Sequence, residues 1–151
     1  MSDEATYELD GHIATITYNR PESLNAINGA MRECLNAAWL EFYNDPEAWV
    51  AVLTGSGRAF CAGADLRPGQ GNSAGTWSGS YFEIPTINSF ESGLELWKPT
   101  IAAVNGACIG YGLTGAIATD VLLASDRAVS VSYTHLRGPR DQRGSRMPAC
   151  G

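Results

Sequence analysis

The sequence lacks most of the features that assign a chain to a class at sight. No apolar run reaches the roughly 18 residues that a membrane span requires. The opening stretch, 1–10, is acidic and has no charged-then-apolar leader pattern, which argues against secretion. The four cysteines, Cys34, Cys61, Cys108 and Cys150, include no C-x-x-C pair. Lone thiols in apolar settings fit a reducing, cytoplasmic location rather than a disulfide framework or a zinc site. Histidine occurs only at His12 and His135, and no G-x-S-x-G elbow is present, so a Ser-His-Asp hydrolase is unsupported. Basic residues are scarce: up to Asp126, fifteen acids face five bases. An acidic body of this kind is unsuited to nucleic acid, whose phosphates need clustered Lys and Arg. No internal repeat is present.

What remains is an ordinary globular composition. The 151 residues are 44% hydrophobic and 17% charged, enough for one domain with a real core. "YELDGHIATITYN" reads as two strands around Asp10-Gly11, the second with an imperfect alternation that suggests burial on both faces. Asn28 is placed to cap a helix running to about Asn44, with Ile27, Met31, Cys34, Leu35, Ala38 and Phe42 on one apolar face. "WVAVLTG" is a short, continuously apolar strand of the kind found at a sheet centre. A Gly/Ser-rich loop over 69–80, a helix over 82–98, the strand "TIAAVNG", a short helix near 111–118 and "VLLAS" follow. Alternating strands and helices argue for an α/β fold. The pattern breaks near Val129. Beyond it, "SVSYTHLRGPRDQRGSRMPACG" has almost no apolar periodicity, so 1–129 reads as the domain and 130–151 as an appended, disordered tail.

Two glycine-rich stretches carry the functional signal. "NGACIGYGLTGAIATD" contains G-x-G-x-x-G from Gly110 to Gly115. As a dinucleotide loop it is irregular, because five residues separate the strand from Gly110 and the helix after it is barely two turns. Asp126 after "VLLAS" keeps that reading open. "GSGRAFCAGADLRPG" also follows a buried strand, so two strands each deliver a small-residue loop. Small residues let a ligand approach the main chain, and two N–H donors from separate loops could converge on one oxygen. That is the composition of an oxyanion hole. The short helix after Gly110 would add its positive end.

"YNRPESLNAIN", "WVAVLTGSGRAFCAGADL" and "KPTIAAVNGACIGYGLTGAIATDVLLAS", in this order, resemble the enoyl-CoA hydratase/isomerase (crotonase) superfamily over about Thr6 to Val129. The resemblance implies a crotonase-like β-β-α spiral, here truncated, that binds acyl-CoA thioesters. Coenzyme A would enter as part of the substrate, with no separate cofactor or metal. The resemblance assigns the backbone N–H groups of Ala64 and Tyr111 to an oxyanion hole for the thioester enolate, Tyr111 following Gly110. It assigns the Ala62 carbonyl to the adenine amino group, Leu24 and Ala26 to the adenine and pantetheine path, and Arg67 to phosphate. Asp65 is expected to fix the loop after the first donor rather than act as an acid. It further implies a homotrimer or hexamer built through C-terminal helices, which this chain is expected not to assemble normally.

The sequence departs from the family where proton transfer is concerned. Thr114 stands where the resemblance implies a glutamate, and a hydroxyl that titrates far above neutral pH is no general base. The family's second acid would lie in the tail, so the chain by itself is expected to be inactive. An acyl-CoA enzyme, a non-catalytic acyl-CoA-binding relative and a dinucleotide-binding dehydrogenase domain all remain open from sequence.

Overall fold

The computed structural model describes residues 3–67, 90 and 94–131. Strands β1 (Ala5–Asp10) and β2 (Ile13–Tyr18) form an antiparallel hairpin, Ala5 opposite Tyr18 and Asp10 opposite Ile13. Gly11 turns the chain with φ +57°, a conformation side-chain-bearing residues rarely adopt. His12 in the same turn stacks on Trp49, with ring centroids 3.7 Å apart. β2 is buried on one face only, through Ala14, Ile16 and Tyr18, because α1 covers that side and solvent reaches the other. The expectation of burial on both faces is corrected accordingly.

A 3-10 turn (Pro21–Ser23) leads into helix α1 (Gly29–Asn44). Asn28 caps the helix by accepting the Met31 N–H at 2.8 Å, and the Asp45 N–H closes its far end on the Glu41 carbonyl at 2.9 Å. Its buried face is Met31, Leu35, Ala38, Trp39 and Phe42. Trp39 joins the expected stripe, while Cys34 is only half-buried. β3 (Val50–Gly55) and β5 (Thr100–Val104) then run parallel to β2, and β7 (Val121–Ala124) closes the sheet in the order β1-β2-β3-β5-β7. β3 is central, as its continuous apolar run predicts. β7 is the outer strand, and its Val121, Leu122 and Leu123 are exposed.

A second, three-stranded sheet positions the site. β4 (Ala59–Cys61), β6 (Ala107–Ile109) and β8 (Val129–Val131) pair in parallel in that order. Short helix α2 (Tyr111–Ile117) follows β6 directly. The chain therefore remains in strand for two residues past the composition break at Val129, and the rest of 130–151 lies outside the described residues.

The Gly/Ser-rich stretch 69–80 and most of the expected helix 82–98 also lie outside the described residues. Where that helix can be checked, it is corrected: 94–98 is not helical. Lys98 precedes Pro99, which disfavours a helical backbone. Its Nζ instead donates to the Phe42 and Asp45 carbonyls, at 2.7 and 2.5 Å, and so ties the entry of β5 to the end of α1. Asp120 holds the same entry from the other side, accepting the Thr100 N–H and hydroxyl at 2.8 Å each.

Candidate functional site

Parallel pairing decides where the two small-residue loops meet. β4 and β6 pair Ala59 with Ala107 and Cys61 with Cys108, so both strands end at the same edge. Ala62-Gly63-Ala64 leaves one end and Gly110-Tyr111 leaves the other. Gly63 has φ +92°, and a Cβ on it would stand 2.8 Å from the Ile109 carbonyl oxygen and 3.5 Å from the Tyr111 nitrogen. Only glycine permits both the conformation and the approach. Gly112, one residue into α2, faces the other strand as closely: a Cβ there would lie 2.6 Å from the Cys61 carbonyl oxygen. The glycines thus press the start of α2 against the end of β4.

The first loop is held from its opposite side. Ile27 bridges Ala64 in parallel: the Ile27 N–H donates to Gly63 O at 2.8 Å and the Asp65 N–H to Ile27 O at 2.9 Å. In a parallel bridge the partner residue bonds to the positions before and after, so the N–H of Ala64 points away from Ile27. It finds no acceptor among the described residues. The second loop is fixed by Gly110, whose φ of +53° turns the chain and whose N–H donates to Val131 O at 2.9 Å. β8 thereby holds the turn that presents Tyr111.

Asp65 lies behind the first loop with its side chain 3% exposed. Its carboxylate accepts from Arg67 Nε at 2.9 Å, from the Arg67 backbone N–H at 3.1 Å and from Arg20 Nη1 at 3.2 Å. These partners, Arg67 foremost, hold its carboxyl well below the usual range, against the opposing effect of burial. The two arginines thus favour the charged form of Asp65 at the base of the loop. Arg20 is buried and also donates to the Ala26 carbonyl, which makes it the link between the two loops flanking Ile27. Arg67 is more than half exposed, and beyond Asp65 it reaches Ser23 Oγ at 3.2 Å.

Leu24, Ala26, Ala62, Ala64, Asp65 and Arg67 line one open groove of about 410 Å³. The structure thus collects six of the sequence-assigned residues along one surface, while Gly110, Tyr111 and Thr114 belong to the adjoining loop and helix. Arg58 also lines this groove, a cation that sequence reasoning gave no role. Asn25 was missed as well. It is wholly buried with φ +58°; its carbonyl oxygen accepts the Arg20 N–H at 2.8 Å, and its amide donates to Ser56 O, Ala59 O and Phe60 O at 2.9, 2.8 and 3.1 Å. That network supports Leu24, itself held at φ +52°, a conformation that disfavours a leucine by about 1–2 kcal/mol. The available signal was an asparagine, which tolerates this conformation, inside an irregular loop.

Thr114 lies half-buried in α2 and donates its hydroxyl to the Gly110 carbonyl at 3.4 Å. Its hydroxyl turns back onto its own helix. Asp126 sits exposed in a turn beside Arg127, and His135 is outside the described residues. Among the described residues no group of His, Cys, Asp or Glu side chains is arranged to hold a metal, and no helix is long and apolar enough to cross a membrane.

The sequence and the fold are similar to those of known proteins. An enoyl-CoA hydratase from Mycobacterium tuberculosis, named as probable, is 38% identical over 130 residues, covering 84% of this chain and 49% of the relative. An (E)-benzylidenesuccinyl-CoA hydratase from Thauera aromatica is 35% identical over 130 residues, covering 82% and 47%. A crystal structure of an enoyl-CoA hydratase/isomerase from Mycobacterium paratuberculosis superposes with a TM-score of 0.68 at 37% identity, over 95% of this chain and 51% of that one. The chain spans about half the length of the curated relatives it matches. The family model for enoyl-CoA hydratase/isomerase matches residues 8–138, past the break at Val129, and the chain belongs to that family, with the crotonase fold of its solved neighbours.

Proposed function

We propose that the chain binds an acyl-CoA thioester and that the Ala64 and Tyr111 N–H groups together hold the thioester oxygen as it gains enolate charge. The observations that support this reading are the close approach of Gly63 to Tyr111, where a Cβ would stand 3.5 Å from the Tyr111 nitrogen, and the Ala64 N–H turned away from Ile27. Backbone donors suit the task because they are fixed before the reaction and have no protonation state to lose. Each such donor typically contributes about 3 kcal/mol to lowering the barrier. The adenine and pantetheine portions lie along the groove past Leu24, Ala26 and the Ala62 carbonyl, and the phosphates meet Arg58 and the exposed side of Arg67. Asp65 takes no proton in this scheme; its ion pairs keep it charged and the loop rigid.

Acyl-CoA chemistry of the hydratase or isomerase type is proposed for the whole protein. Within this chain Thr114 supplies no general base, since a hydroxyl bonded to Gly110 O neither titrates near neutrality nor activates water. The same observation favours a second reading, a binding relative that stabilises thioesters without turnover. Titration calorimetry with butyryl-CoA tests the primary reading. Binding is expected, together with its weakening in Ala64→Pro, which deletes one N–H. Absence of binding to the folded chain overturns it. Crotonyl-CoA hydration assays then separate the two readings: turnover in the whole protein supports the enzyme, and binding without turnover supports the binder.

A further inference from the structure

Arg32 stands in the first turns of α1, half-buried, with its guanidinium carbon 5.1 Å from the centroid of the Tyr111 ring. Its Nε is sealed from solvent and has no hydrogen-bond partner among the described residues. The ion pairs found there involve Arg20, Arg67 and Arg127, and none involves Arg32. A ring face attracts a cation but accepts no strong hydrogen bond in the guanidinium plane, so the donor is left unspent.

Arg32 also lines a small cavity together with Ile27, Asn36, Trp39, Phe90 and Tyr111. Its volume, about 10 Å³, is room for about one water-sized group. The cavity adjoins the loops described above on both sides, because Ile27 is bridged to Ala64 and Tyr111 follows Gly110. Mostly apolar and aromatic walls, Asn36 apart, around one unspent cationic donor suit a single anionic oxygen.

We propose that Arg32 is a specificity-determining residue that receives a carboxylate at the far end of the acyl group, so that the preferred thioester is that of a short dicarboxylic acid. The inference rests on the acyl-CoA reading above. One carboxylate oxygen suits the available space and accepts the Nε–H, and the other is offered to the remaining guanidinium donors. A methyl-ended acyl group leaves Nε unsatisfied. Sites built to hydrogen-bond a substrate group reject analogues that lack it.

The test compares glutaryl-CoA with butyryl-CoA by titration calorimetry on the 151-residue chain and on Arg32→Met and Arg32→Lys, with folding checked by circular dichroism. In the unmodified chain glutaryl-CoA is expected to bind at least about tenfold tighter, the scale of a hydrogen bond to a charged group. The ratio is expected to fall to about one in Arg32→Met and to lie between in Arg32→Lys, which remains informative if the methionine variant fails to fold. Equal affinities in the unmodified chain, or a preference that survives both variants, overturn the assignment of Arg32 while leaving the acyl-CoA reading standing. Failure of both esters to bind the folded chain overturns that reading and the inference with it.

Discussion

Replacing Asp65 by alanine isolates what holds the first loop in place. In the native chain Asp65, 3% exposed at its side chain, faces Arg20, 8% exposed, across 3.2 Å. The substitution strands the Arg20 guanidinium in a buried site with the Ala26 carbonyl and Glu4, 3.6 Å away, as its remaining partners. Breaking a buried pair from one side destabilises by about 3–5 kcal/mol, and the residual contact with Glu4 places the expected loss at the lower end, about 3 kcal/mol. Arg67→Ala removes a second partner of the same carboxylate, but that guanidinium is 58% exposed, so solvent screening makes its loss much the smaller of the two. Urea unfolding followed by far-ultraviolet circular dichroism measures both. Equal losses for the two variants, or a loss below about 1 kcal/mol for Asp65→Ala, would refute the claim that the buried Arg20 contact, rather than the shorter exposed one, anchors the loop.

Further outcomes follow from the same geometry. Gly63→Ala places a methyl 2.8 Å from Ile109 O at φ +92°, and it is expected to weaken butyryl-CoA binding at least about tenfold in calorimetry as the loops separate. Gly112→Ala forces a methyl to within 2.6 Å of the Cys61 carbonyl oxygen in a buried contact and is expected to destabilise by about 1–3 kcal/mol in urea melts. Because the Asp65 carboxyl is depressed in the folded state, its contribution is present above the unfolded value of about 4 and is lost as the pH falls through the lower folded value. Acid titration of stability should therefore fall below about pH 4 in the native chain and less steeply in Asp65→Asn. Burial pushes the Cys108 thiol up to about 11, so iodoacetamide at neutral pH should modify it far more slowly in the folded chain than in urea, as peptide mass mapping would show.

The elements that write their own local pattern were legible in the sequence. α1 announces itself by Asn28 before a helical apolar stripe, and β3 by an uninterrupted run too short for a helix. The two small-residue loops were also visible as loops. Their convergence was expected from their composition and from the family resemblance, but the pairing that aligns them was not legible, because it depends on β4 and β6, strands of three residues each whose pairing is non-local. β8 was hidden for a similar reason: Val129–Val131 has no periodicity of its own and is held by its ladder to β6. The anchors of the site were equally obscure. Arg20 next to Pro21 reads as loop, and Asn25 reads as a turn residue, until folding buries both against segments 31 to 45 residues away. Leu94–Lys98 misled in the other direction, since its apolar content suits a helix while Pro99 and the Lys98 contact with α1 dictate otherwise.

The most direct test of the account is the vibrational frequency of the bound thioester. Butyryl-CoA carrying a ¹³C label at the thioester carbonyl can be followed by infrared difference spectroscopy as it binds the chain. Two N–H donors on that oxygen polarise the carbonyl, so the account predicts a band shifted to lower frequency than in solution, with the shift reduced when Ala64→Pro removes one donor. A bound ester whose carbonyl absorbs at its solution frequency would contradict the assignment of Ala64 and Tyr111.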